Sequence, residues 1–152
     1  MKSVLIPGAG IGIGRATAQM FGKHGWRVIV TDVLKNEGAA VAAEIVDAGG
    51  VAEFHALDVT STSAAEAVLA SVHKDHGALA AVVCNAGVAH KVPLEELTDE
   101  KWDYTFDVDL KGMLRVIRPA VAAMKAQDGG AIVCLSSIMG VAYGWDQHVH
   151  YS

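Results

Sequence analysis

Lys2-Ser3-Val4-Leu5-Ile6-Pro7-Gly8-Ala9-Gly10-Ile11-Gly12-Ile13-Gly14-Arg15 sets an apolar run of strand length against four glycines at alternate positions. Ala16-Thr17-Ala18-Gln19-Met20-Phe21 follows and reads as helix. A strand, a glycine turn and a helix in that order make a pocket for a phosphate. The glycines let bare backbone approach the anion, and the helix start offers unpaired N–H groups and the positive end of a dipole. Counting G-x-G-x-x-G from Gly8, the third glycine would fall where Ile13 stands. The spacing present is Gly8-x-x-x-Gly12-x-Gly14, a relative of the same device. Such a turn also has a purely structural reading, so its meaning rests on the rest of the chain.

Downstream, the first helix is expected from about Gly12 to His24, stopping at Gly25. Trp26 to Thr31 is a β-branched strand ending in Asp32, and Leu34 to Ala48 is an alanine-rich helix closed by Gly49-Gly50. Val51 to Leu57 is a third strand, closed by Asp58-Val59. Ser63-Ala64-Ala65-Glu66 has the spacing of a capping box and opens a helix that ends near Gly77. Leu79 to Cys84 is a fourth strand, followed by the polar break Asn85-Ala86-Gly87. Thr98-Asp99-Glu100 starts a long helix reaching about Gln127, with a local bend expected at Pro119 and a stop at Asp128-Gly129-Gly130. Ala131 to Leu135 is a fifth strand, closed by Ser136-Ser137, and from Ile138 to His150 the pattern dissolves into loop.

Strand and helix alternate five times, and most of the strands are continuously apolar. That pattern predicts an α/β fold of three layers, Rossmann-like, with a five-stranded parallel sheet flanked by helices in one domain over residues 1–152. Right-handed crossovers bring the carboxyl ends of all five strands to one edge. The glycine turn, Asp32, Asp58, Asn85 and Ser136-Ser137 all fall there, and ligands of open α/β sheets bind at that edge.

Each polar stop has a chemical reading beside a structural one. Asp32 can accept both ribose hydroxyls of an adenosine and would repel the extra phosphate of NADP, so NAD is the expected cofactor; a turn-forming Asp is the alternative. Asp58 can accept from an adenine amino group with Val59 against the ring, or simply start the next helix. Asn85-Ala86-Gly87 lets backbone pass a second ribose closely, and is equally a turn. Ser137 can hold a substrate oxygen while the Tyr151 phenol passes a proton. A phenol titrates near pH 10, so it needs a nearby cation to act as a base at neutral pH. The sequence places no lysine after Tyr151.

Composition narrows the classes. With 52% hydrophobic and 19% charged residues the chain is not disordered, and its net charge of −5 argues against nucleic-acid binding. Apolar runs are too short to span a membrane and the amino terminus does not resemble a secretory signal, so a cytoplasmic protein is expected. Cys84 and Cys134 both lie in apolar strands and are expected as buried thiols in a reducing compartment. Seven histidines form no H-E-x-x-H and no Cys/His cluster; His73 and His76 share a helix face without an acidic or sulfur partner at coordinating spacing, and no metal is expected.

Together these residues resemble the amino-terminal part of a short-chain dehydrogenase/reductase of the classical type, in the expected order over all 152 residues. The resemblance implies that Gly8, Gly10, Ile11, Gly12, Ile13 and Gly14 form its cofactor turn and that Asp32 selects NAD, NADP being less favoured. It implies that Asp58-Val59 contacts adenine and that Asn85, Ala86 and Gly87 form its stabilising motif. Ser137 is then the catalytic serine and Tyr151 the start of its Tyr-x-x-x-Lys motif. Asp109 takes the place of the family's relay asparagine, which keeps an acceptor but loses the amide donor. Pro7 and Ile11 are further departures, as is one extra residue between Ser137 and Tyr151. The implied reaction moves hydride between NAD and a small alcohol or ketone in a homo-dimer or tetramer. The chain is expected to be a fragment cut within Tyr-x-x-x-Lys, with little turnover of its own. A non-catalytic dinucleotide-binding scaffold that pairs with a partner is the alternative. Ala142, Tyr143 and Trp145 hint at an apolar substrate wall.

Overall fold

A computed structural model describes residues 1–127, 129–142 and 144–152; Asp128 and Tyr143, both named above, lie outside the described residues. Five strands form one parallel sheet in the order β3-β2-β1-β4-β5. The strands are β1 (Ser3–Pro7), β2 (Arg27–Asp32), β3 (Val51–Ala56), β4 (Ala81–Cys84) and β5 (Ala131–Cys134). Between them run α1 (Gly12–Lys23), α2 (Lys35–Asp47), α3 (Thr62–His76), α4 (Asp99–Phe106) and α5 (Gly112–Ala126).

β1 sits at the centre with all five of its residues buried. Alternation along the strand sends Val4 and Ile6 to one face and Leu5 to the other. Val4 and Ile6 join Val28, Val30, Ala18, Val41 and Ile45 beneath α1 and α2. Leu5 joins Ile29, Val82, Leu69, Val72, Val116 and Met124 beneath α3 and α5. Each fully buried Leu or Ile of this kind contributes about 1.5–3 kcal/mol, so the sheet centre anchors everything attached to it.

Two details depart from the expected elements. α3 is capped by Ser61, whose Oγ accepts the Ala64 N–H at 3.2 Å, and not by Ser63, which lies inside the first turn. The reason lies just upstream: Asp58 Oδ1 accepts both the N–H and the hydroxyl of Thr60, closing a turn that starts the helix early. The long helix is not uniform either. Between α4 and α5 the turn widens to a π-helical segment over Asp107–Lys111, well before Pro119, which sits inside α5 without ending it. Arg115 explains the widening. It donates to the Asp107 carbonyl at 3.0 Å, to the Asp107 carboxylate at 2.7 Å and to the Val59 carbonyl at 3.3 Å. Gly112 closes the segment directly on Val59, with no room there for a Cβ.

β5 lies at the sheet edge and only Ile132 is partly buried. Cys84 is buried as expected, whereas Cys134 is exposed, because an edge strand lacks the cover that the central strands receive.

Candidate functional site

The glycine turn is held from three sides. Asn85, from the end of β4, donates through Nδ2 to the carbonyls of Pro7 (3.2 Å) and Gly8 (2.9 Å). Asp32, from the end of β2, accepts the Gly10 N–H at 2.8 Å. Ala9 donates to the Thr31 carbonyl at 3.0 Å. Gly8 has φ +71°, which favours glycine, and a Cβ on Gly14 would lie 2.1 Å from the Gly8 oxygen. The turn therefore closes only with glycine at both places.

α1 begins at Gly12 with Ile11 at its N-cap, where no side chain accepts from the first turn and no acidic residue stands. Its leading N–H groups and the positive end of its dipole are thus open to an anion. Ile11 and Ile13 are exposed on either side of Gly12. Here the geometry favours a phosphate without needing a basic side chain.

Asp32 is nearly buried, at 6% exposure. Its Oδ2 holds Gly10 and its Oδ1 accepts the Leu34 N–H at 2.9 Å, so each oxygen retains one further lone pair. Asp58 is exposed while binding Thr60. Val59 is buried, at 6% exposure, and packs beneath Gly112. Asn85 and Ala86 are half-buried and Gly87 is exposed, and the backbone leaving them is fixed by Asp109.

Asp109 lies in the π-helical segment, and its Oδ1 accepts the Val88 N–H at 2.7 Å. Burial pushes its carboxyl above the usual range, opposed by the Val88 N–H and by the nearby His90 and His150. His150 is 3% exposed, and neither ring nitrogen has a partner among the described residues. Histidine spacing bears on metal binding and does not reveal this burial; the place of His150 beside Tyr151 is the one signal in the sequence.

Ser137 Oγ accepts the Met139 N–H at 3.2 Å in a short turn. Tyr151 is half-buried, with its ring edge-on to Trp145 at 6.0 Å. Among the described residues neither hydroxyl bonds to the other and no cationic side chain bonds to Tyr151. The structure thus brings the glycine turn, Asp32 and Asn85 into one bonded set, holds Asp109 on the backbone just after Asn85 through Val88, and leaves Ser137 and Tyr151 outside that set. Among the described residues no group of three or more His, Cys, Asp or Glu side chains could hold a metal ion. His76 and His55 each hydrogen-bond Glu53 at 3.1 Å. No described helix is long and apolar enough to cross a membrane.

Comparison with known proteins places this geometry. The family described as short chain dehydrogenase matches residues 2–152. A 3beta-hydroxysteroid dehydrogenase of Mediterraneibacter gnavus is 38% identical over 141 residues, 92% of this chain and 51% of that protein. A 3-oxoacyl-[acyl-carrier-protein] reductase of Thermotoga maritima is 32% identical over 151 residues, 99% of this chain and 61% of that protein. The crystal structure of a short chain dehydrogenase from Mycobacterium smegmatis superposes with a TM-score of 0.92 at 33% identity, covering 99% of this chain and 63% of that one. This chain spans between 51% and 63% of the length of these three.

Proposed function

The chain belongs to the short-chain dehydrogenase/reductase family, and on that premise we propose that residues 1–152 form one dinucleotide-binding domain that takes NAD in preference to NADP. The observation that carries this reading is the clamped glycine turn facing the uncapped start of α1, with the Asp32 carboxylate beside it. In that arrangement the N–H groups of α1 take the pyrophosphate, and the remaining lone pairs of Asp32 accept the two ribose hydroxyls. Asp58 takes the adenine amino group, and Ala86 and Gly87 carry backbone past the second ribose. A 2′-phosphate would meet the Asp32 charge, which is the basis of the NAD preference.

NAD supplies the hydride chemistry when bound; the residues supply position and proton transfer. In the proposed reaction an alcohol and a ketone interconvert. Ser137 donates to the substrate oxygen, and Tyr151 takes or returns its proton. Asp109 keeps the chain after Gly87 in place through Val88 and, as an acceptor without an amide donor, holds the relay position only in part. With no cationic side chain bonded to Tyr151 among the described residues, turnover by residues 1–152 alone is expected to be negligible. Relatives acting on a hydroxysteroid and on a 3-oxoacyl group support a secondary alcohol or ketone as substrate class.

A second copy of the chain is the proposed partner. Trp102, Phe106, Leu110 and Leu114 recur every four residues along α4 and α5 and are all exposed, an apolar stripe suited to another helix.

Calorimetric titration tests the cofactor. NAD is expected to bind one to one and more tightly than NADP, and Asp32→Ala is expected to weaken NAD about tenfold while narrowing the gap. Tighter binding of NADP by the unaltered chain would overturn the reading. Steady NADH formation from a panel of secondary alcohols would refute the expectation of negligible turnover.

A further inference from the structure

Cys84 and Cys134 stand opposite each other where β4 meets β5. In the same register Val82 faces Ile132, and Val82, Cys84 and Ile132 all pack toward the core beneath α3 and α5. Cys134, two residues beyond Ile132, therefore leaves the sheet on the side where Cys84 does. Neighbouring strands run about 4.8 Å apart, and disulfides span Cα separations of about 4.4–6.8 Å. The strands are pinned at this point, since the Cys84 carbonyl accepts the Leu135 N–H at 3.0 Å. Both thiols are free, Cys134 exposed and Cys84 buried. Burial, reinforced by the neighbouring Cys134, pushes the Cys84 thiol up to about 12, so Cys134 is the one that reacts first.

We propose that Cys84 and Cys134 are a redox-active dithiol that hydrogen peroxide closes to a disulfide, and that closure weakens dinucleotide binding. The second half rests on the glycine turn being the dinucleotide site. In the first step the Cys134 thiol gives up its proton and its sulfur attacks a peroxide oxygen. The O–O bond breaks, water leaves and a sulfenic acid remains. The Cys84 thiol then attacks the Cys134 sulfur; as the S–S bond forms and the S–O bond breaks, the Cys84 proton passes to the departing hydroxide, which leaves as a second water. Two thiols have lost two electrons and two protons, and the peroxide has been reduced to water. Disulfide Cβ atoms stand about 3.5–4.5 Å apart, closer than the strands, so closure draws β4 and β5 together. The residue after Cys84 is Asn85, whose amide holds the Pro7 and Gly8 carbonyls.

The test treats the purified chain with a small excess of hydrogen peroxide, alkylates remaining thiols in denaturant and titrates NAD before and after. The oxidised chain is expected to lose the mass of two hydrogen atoms and all alkylatable thiol, to bind NAD about tenfold more weakly, and to recover with dithiothreitol. Cys134→Ser is expected to bind NAD like the unaltered chain, with or without peroxide. Cys84→Ala is expected to stop at a sulfenic acid on Cys134 that dimedone traps. The proposal is overturned if Cys84 stays alkylatable while Cys134 pairs between chains, or if a closed disulfide leaves NAD affinity unchanged. A reduced chain that fails to bind NAD overturns the proposed function and the switch with it, while the mass change still decides whether the disulfide forms.

Discussion

The glycine turn and the segment after β5 share one edge of the sheet, yet different contacts hold them. Around the turn the bonds come from far away in sequence: Asn85 reaches Gly8, Asp32 reaches Gly10 and Ala9 reaches Thr31. After β5 most bonds are local, from Ser137 to Met139, Tyr151 to His148 and Trp145 to Ser152. Long-range bonds there include Leu135 donating to the Cys84 carbonyl at 3.0 Å and Val92 donating to the Gln147 carbonyl at 2.7 Å. Gln147 also has φ +59°, the only positive value outside glycine among the described residues. A site fixed by strands packed in a common core is already shaped for its ligand, whereas a site shaped by its own turns still has to be aligned. This molecule contains one of each: a glycine turn tied down by distant strands, and a segment after β5 tied mostly by its own turns.

The strongest way to break that contrast is to fill the turn. Gly14→Val puts carbon where the Gly8 oxygen sits, and is expected to cost about 3 kcal/mol in urea denaturation and to abolish NAD binding. Asn85→Ala leaves the backbone intact but removes two hydrogen bonds; about 1–3 kcal/mol of stability should go, together with about tenfold in NAD affinity. Ser137→Ala is the matching change on the other side, and it should move stability by no more than about 0.5 kcal/mol with NAD affinity unaltered. If Ser137→Ala costs as much as Asn85→Ala, the two regions are not held differently.

A smaller effect concerns Asp109, which holds the Val88 N–H and lies near His150. Burial raises its carboxyl in the folded chain above the ordinary value of 3.8, so ionised Asp109 opposes folding. That cost is absent below pH 3.8, builds as pH rises through the folded value, and stays at higher pH. Asp109→Asn keeps an acceptor for Val88 and should raise the melting temperature at pH 7, with the gain vanishing near pH 3. A gain that is constant over this range would exclude titration of Asp109 as its source.

Much of the fold was legible because the strands around β1 are buried on both faces, and their apolar runs are bounded by residues that end strands. Asp32 and Asn85 were legible for the same reason, since parallel crossovers carry strand ends to one edge. What escaped the sequence depends on contacts between distant elements. Ser61 and Ser63 offer the same hydroxyl, and the Asp58–Thr60 turn decides which one caps α3. The widened turn at Asp109 follows from Arg115 reaching Asp107 and Val59, which periodicity along a helix cannot show. Cys134 looked as buried as Cys84 because an apolar strand reads alike at the centre of a sheet and at its edge. His150 looked like a loop residue, and only the packed structure shows it buried near Asp109.

Hydrogen–deuterium exchange of the purified chain with and without saturating NAD tests the contrast most directly. Protection on binding is expected over Gly8–Gly14, Asp32–Leu34 and Asn85–Val88, with residues 136–151 exchanging as before. Protection confined to residues 136–151, or none at the glycine turn, would contradict it.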